Sequence, residues 1–164
     1  MGQKGVLGII GAGNFTNMTV LPSLKGSGAH IKTIASSGGF SGTQLAKIHG
    51  ISKSTTDYKT ILNDEDVDTI IITTRHGSHA KMVIESLNAG KNTFVEKPLA
   101  LNQNELDQII QAFNRKQPIV KIQDETANRP TLTVGFNRRF SPHLIKVKQS
   151  MGGNSGAVNI IANM

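Results

Sequence analysis

A five-residue apolar run, Val6-Leu7-Gly8-Ile9-Ile10, breaks directly into Gly11-Ala12-Gly13-Asn14-Phe15-Thr16. A short strand, a Gly-x-Gly corner and a helix-compatible segment form the opening of a βαβ unit that presents a helix N-terminus to a dinucleotide pyrophosphate. Gly11 serves the tight turn. Gly13 lets the backbone approach phosphate, because no Cβ stands in the way. Asn14 and Phe15 open the helix, whose unpaired N–H groups and dipole attract negative charge, and the Asn14 side chain is expected to cap it. Thr16 stands where such corners carry a third Gly or Ala, and its bulk is expected to hold the first helix further from the strand.

Downstream, apolar runs alternate with helix-length amphipathic stretches. The first helix is expected from Asn14 to about Lys25, with Pro22 loosening its last turn. Ile31–Ala35 reads as a second strand, followed by the Gly/Ser-rich loop of residues 36–42 and a helix over 43–49 that stops at Gly50. An extended piece near Ser54–Thr56 leads into a short helix, Tyr58–Leu62. Val67–Thr73 is β-branched almost throughout and reads as a buried strand. A helix from Ser78 to Ala89, a strand Asn92–Val95, and a helix capped by Asn102 and running to about Lys116 complete the pattern. Residues 121–130 read as a loop, 132–136 as a strand and 142–151 as a basic helix. The alternation predicts an α/β fold: a doubly wound, mostly parallel Rossmann sheet with helices on both faces. No fixed-period repeat is present.

The chain has 164 residues, a formal net charge of +7 and no cysteine, so disulfides and thiolate metal sites are excluded. Its first carboxylate is Asp57, whereas Lys4, Lys25, Lys32, Lys47 and Lys53 precede that point. Such a field suits an anionic ligand. Dense basic runs interleaved with aromatics are absent, which speaks against a nucleic-acid partner. No segment reaches the roughly 20 apolar residues that cross a bilayer. The expectation is a cytoplasmic protein with no membrane partner and no metal.

Three segments together carry a resemblance: Gly11-Ala12-Gly13-Asn14-Phe15; Phe94-Val95-Glu96-Lys97-Pro98-Leu99-Ala100; and Val134-Gly135-Phe136-Asn137-Arg138-Arg139-Phe140-Ser141-Pro142. In this order they resemble the N-terminal half of the glucose–fructose oxidoreductase / inositol dehydrogenase / rhizopine-catabolism family of NAD(P)-dependent dehydrogenases. Within it the chain looks closest to sugar dehydrogenases of bacterial surface-polysaccharide gene clusters. The resemblance implies that Lys97 is catalytic, stabilising alkoxide character and moving a proton at a sugar hydroxyl. It implies that Glu96 orients Lys97 or binds cofactor ribose, and that a cis peptide precedes Pro98. Thr73, Thr74 and Arg75 would pass the cofactor's phosphates and ribose. His79 would have a cofactor role or would cap or pack its helix. One of Arg138 and Arg139, here assigned as Arg138, would contact cofactor.

Ser36 and Ser37 occupy the end of the second strand, where an acid would hold the ribose of NAD and repel a 2′-phosphate. The expected cofactor is therefore NAD or NADP, with weak discrimination. The resemblance further implies a sugar or nucleotide-sugar substrate and a homo-oligomeric full-length protein. Residues 1–152 would form the cofactor domain, and residues 153–164 a linker and first strand of a truncated α/β substrate domain, so the chain alone would bind cofactor and turn over little. The alternative is a non-catalytic dinucleotide-binding or sensor module.

Overall fold

The computed structural model describes residues 5–115 and 130–151. The linker and strand expected at 153–164, and most of the loop expected at 121–130, lie outside the described residues.

Six strands form one sheet: β1 (Val6–Ile10), β2 (His30–Ala35), β3 (Lys53–Thr55), β4 (Thr69–Ile72), β5 (Asn92–Glu96) and β6 (Leu132–Gly135). Their spatial order is β3-β2-β1-β4-β5-β6, and every pairing is parallel. The helices are α1 (Leu21–Leu24), α2 (Phe40–His49), α3 (Lys59–Leu62), α4 (His79–Asn88), α5 (Gln103–Arg115) and α6 (Pro142–Ser150). A π-helical turn, Thr16–Val20, leads into α1, and 3-10 turns at His76–Ser78 and Asn137–Phe140 precede α4 and α6.

Alternating side chains divide two cores between the faces. Leu7, Ile9, Ile34 and Ile71 point one way, against Leu21, Leu45 and Ala46. Ile10, Ala35, Ile70, Ile72 and Val95 point the other way, against Leu62, Val83, Leu87 and Ile109. Both faces of β1 and β4 are thus apolar, which is why these strands read as continuous apolar runs. Successive strands are laid outward from β1 to one side and then, from β4, to the other. The order therefore reverses between β1 and β4, and the crevice of such a sheet opens there, beyond the carboxyl ends of the strands.

Three local expectations are corrected. The segment after β1 is not a uniform α-helix: Leu21 N–H bonds the Thr16 carbonyl five residues back. Pro22 explains this, since it has no N–H to give and its ring would strike the carbonyl four residues earlier; the wider turn makes room. Asn14 is not the cap, because the first helical bond runs from Asn17 N–H to the Gly13 carbonyl at 3.1 Å, and Gly13 holds that position. Helix α2 begins at Phe40 rather than 43. Asn102 does cap α5: its Oδ1 accepts from Glu105 N–H at 2.9 Å, while Glu105 reaches back to Leu101 N–H at 2.7 Å.

Candidate cofactor-binding site

A crevice of about 760 Å³ opens at the carboxyl ends of β1, β2 and β4. Gly11, Gly13, Asn14, Phe15, Ser36, Ser37, Thr73, Thr74 and Arg75 all line it. Nine of the residues expected from sequence are therefore brought together by three strand ends, of which the first (Ile10) and the last (Ile72) lie more than sixty residues apart in the chain.

The glycine corner is built as a cradle. Gly11 has φ +116°, and a Cβ there would lie 2.6 Å from Thr73 Oγ1 and 2.9 Å from the Thr73 carbonyl carbon. The corner is pressed directly onto β4's exit. A Cβ on Gly13 would meet nothing within 4 Å. Space above Gly13 belongs to the crevice, so the open backbone there is not required by packing. The N–H groups of Asn14, Phe15 and Thr16 precede the first helical bond and stand ready for an anion.

Thr16 does more than occupy space. It is completely buried, and its hydroxyl lies 2.9 Å from the Gly11 carbonyl and 2.7 Å from Thr73 Oγ1. Thr73 Oγ1 is itself 3.1 Å from that carbonyl. The third position thus ties helix, corner and β4 together by hydroxyls where other corners rely on close glycine packing. A local departure from a motif carried no sign of this partner 57 residues away.

At the β2 end, Ser36 Oγ accepts from Gly42 N–H at 3.0 Å and so fixes the start of α2, while Ser37 is exposed. Ser41, Thr56 and Tyr58 complete this end, and no carboxylate lines the crevice. These three were missed in the sequence. The Tyr58 phenol donates to Glu85 at 2.7 Å; burial, then that carboxylate, pushes its pKa up to about 12. It therefore presents a neutral ring at the crevice edge.

Four residues fall outside the crevice lining. His79 has 0% exposure and its ring contacts the carbonyls of Pro98 and Thr74, which accords with the packing alternative of its two readings. Glu96 Oε1 accepts from Asn137 Nδ2 at 2.8 Å, which joins the exits of β5 and β6. Lys97 is exposed at the β5 exit, with no hydrogen bond or ion pair from its ammonium among the described residues. The Lys97–Pro98 peptide is cis, as expected. Arg138 and Arg139 are both exposed, and the Arg139 guanidinium lies 4.9 Å from the Phe140 ring centre, a cation–π contact.

Residues 6–123 match the Gfo/Idh/MocA model, an oxidoreductase family with an NAD-binding Rossmann fold. The chain belongs to this family. As a Gfo/Idh/MocA chain it is 35% identical over 153 residues to the uncharacterised oxidoreductase YrbE of Bacillus subtilis, a match covering 90% of this chain and 40% of that protein. It is 30% identical over 97 residues to the inositol 2-dehydrogenase of Salmonella typhimurium, covering 59% and 26%. Among solved structures, a 3-ketoreductase variant from Actinomadura kijaniata in complex with TDP-benzene and NADP superposes with a TM-score of 0.75 at 19% identity, over 91% of this chain and 42% of that one. The chain spans less than half the length of these relatives. The cradle fits the family's dinucleotide: open backbone at Gly13, free N–H groups at the corner and a carboxylate-free adenosine end. NAD or NADP is the cofactor class. Among the described residues, no His/Cys/Asp/Glu group could hold a metal, and no helix is long and apolar enough to cross a membrane.

Proposed function

We propose that this chain is the cofactor-binding half of an NAD(P)-dependent dehydrogenase that moves hydride to or from a hydroxyl-bearing carbon of a sugar, sugar alcohol or nucleotide-sugar. The observation that carries this reading is the Gly13 position, open toward a 760 Å³ crevice and flanked by unpaired helix N–H groups. A bound nicotinamide dinucleotide supplies the hydride donor or acceptor. The corner N–H groups and the exposed Arg75 guanidinium hold its phosphates. Ser37, Ser41 and Thr56 offer hydroxyls to the adenosine ribose, with or without its 2′-phosphate.

Lys97 handles the proton. In the oxidising direction its amine Nζ takes the proton from the substrate hydroxyl as the carbon gives up hydride; in the reducing direction its ammonium returns a proton to the forming hydroxyl. The remaining length of the relatives would supply the walls that hold substrate and exclude water. The 164-residue chain is accordingly expected to bind cofactor and to oxidise sugars or inositols negligibly. Self-association of the full-length protein is part of the same reading. Inositols are favoured as a substrate class by the inositol dehydrogenase relative.

The test is titration of the chain with NADH and NADPH by nicotinamide fluorescence. Saturable binding of both, within about tenfold of each other (about 1.4 kcal/mol), is expected. Gly13→Val should abolish it while leaving the melting temperature within about 2 °C, since the new side chain enters open space. Failure of the wild-type chain to bind either nucleotide overturns the proposal.

A further inference from the structure

The β4–β5 ladder ends at the pair Ile72 and Val95. Beyond it, two loops run on separately: residues 73–78, which carry Arg75 into the crevice, and residues 97–100, which begin with Lys97. Among the described residues, one side chain hydrogen-bonds across them. His79, fully buried at the start of α4, places Nδ1 2.8 Å from the Pro98 carbonyl oxygen and Nε2 3.0 Å from the Thr74 carbonyl oxygen. The His76 ring packs edge-on against it, with 5.7 Å between ring centres.

Both partners are acceptors. A ring carrying two protons donates to both loops; a ring carrying one donates to one loop and turns a lone pair toward the other. A buried apolar side chain of similar size would fill the space and leave both carbonyls unpaired, a costly arrangement that each loop would relieve by moving. Pro98 follows Lys97 directly, and its ring fixes φ, so the Pro98 carbonyl is separated from the Lys97 peptide by the single rotatable bond ψ of Pro98.

We propose that His79 is a positioning residue that clamps the Lys97 turn to the Thr74–Arg75 loop, so that the proton-handling amine and the phosphate-facing loop keep one geometry. The clamp rests on the roles given above to Lys97 and Arg75. It acts through backbone carbonyls and touches neither cofactor nor substrate.

Three variants of the whole chain, ¹⁵N-labelled, separate clamping from filling. His79→Asn sets an amide nitrogen near the Nδ1 position, His79→Gln sets one near Nε2, and His79→Leu sets neither. His79→Asn should keep the Lys97 and Leu99 amide signals near their wild-type positions and shift those of Thr74 and Arg75. His79→Gln should do the reverse. His79→Leu should shift both sets and weaken NADH binding about tenfold, the worth of one well-placed hydrogen bond to each loop. Equal shifts in the Asn and Gln variants overturn the clamp, as does a His79→Leu chain with both loops' signals unmoved. If His79→Leu does not fold, the Asn and Gln pair alone decides. If the wild-type chain binds neither NADH nor NADPH, the dehydrogenase reading fails, and the amide signals still decide whether the ring clamps the loops.

Discussion

Gly11 and Gly13 stand two residues apart and meet opposite surroundings. Gly11 combines φ +116° with a neighbouring carbonyl carbon 2.9 Å from where a Cβ would sit, so Gly11→Ala strains the backbone and overlaps β4's exit at once. Urea titration should show a loss of about 2–4 kcal/mol, in contrast to the near-neutral Gly13→Val. Comparable stability of the two variants would contradict the geometry. Thr16 makes a further prediction. Its hydroxyl and that of Thr73 bring two protons to three close contacts around the Gly11 carbonyl. Thr16→Val preserves shape and removes one donor, which should cost about 1–2 kcal/mol. A double-mutant cycle with Thr73→Val should be non-additive by about 0.5 kcal/mol or more, because either remaining hydroxyl can still donate to the carbonyl. Strict additivity would mean that the two hydroxyls act separately.

The elements around the β4 entrance are fixed by charge rather than by pattern. Lys32 on β2 reaches Asp64 at 2.8 Å and Asp66 at 2.6 Å, and the Lys91 ammonium donates to the carbonyls of Asp64 and Val67 at 2.7 Å each. Lys32 on β2 and Lys91, just before β5, thereby pin the turn between α3 and β4. The Lys32 ammonium holds the Asp64 carboxyl below its ordinary value, burial opposing it, and Asp64, then Asp66, raise Lys32. The signs fix the pH windows. The depressed carboxyl contributes stability present above the unfolded carboxylate range and lost as pH falls through its folded value. The raised ammonium contributes stability present below the unfolded lysine value and lost as pH rises through its own. Urea midpoints should therefore fall from pH 5 toward about pH 3, and Asp64→Asn should flatten that fall. An unchanged acid slope in Asp64→Asn would remove the pair from the account.

None of these contacts was legible in the sequence. Strand and helix order was, because apolar runs and caps are local: the β-branched Val67–Thr73 run contains β4, and Gly50 in the left-handed region at the end of α2 and Asn102 on α5 were read in place. The crevice-lining residues were legible for the same reason, since strand exits at a switch point converge whatever the side chains. Partners 27 to 57 residues away, such as Glu85 for Tyr58, Asp64 for Lys32 and Thr73 for Thr16, leave no local signature. Nor does the burial of His79 beneath a loop whose neighbours reach the crevice. The π turn needed Pro22 and a helix together, and the sequence reading weighed Pro22 only as a loosened last turn.

At the scale of the whole chain, the uneven charge becomes a property of the site. The net charge is +7, and the first 56 residues contain five lysines and no carboxylate. These residues build β1, β2, β3 and α2, the half of the molecule that holds the corner and the expected adenosine end. Both nucleotides bring a pyrophosphate to this field, and NADPH adds a further phosphate of about −1.5 to −2 charge. No arginine lines the crevice near Ser36 and Ser37 to pair that charge directly; Arg75 enters from the β4 exit. The attraction felt by a 2′-phosphate is therefore spread over distance and through water, the kind that salt screens as the Debye length falls from about 10 Å at 0.1 M toward about 4 Å at 0.5 M. Affinity for both nucleotides should drop across that range, and the drop should be steeper for NADPH by about twofold or more. NADPH preference would then appear at low salt and fade at high salt. Parallel salt curves would place the 2′-phosphate outside the carboxylate-free half, and a salt-independent NADPH affinity would require a direct ionic partner that the Ser36–Ser37 end of the crevice does not contain among the described residues.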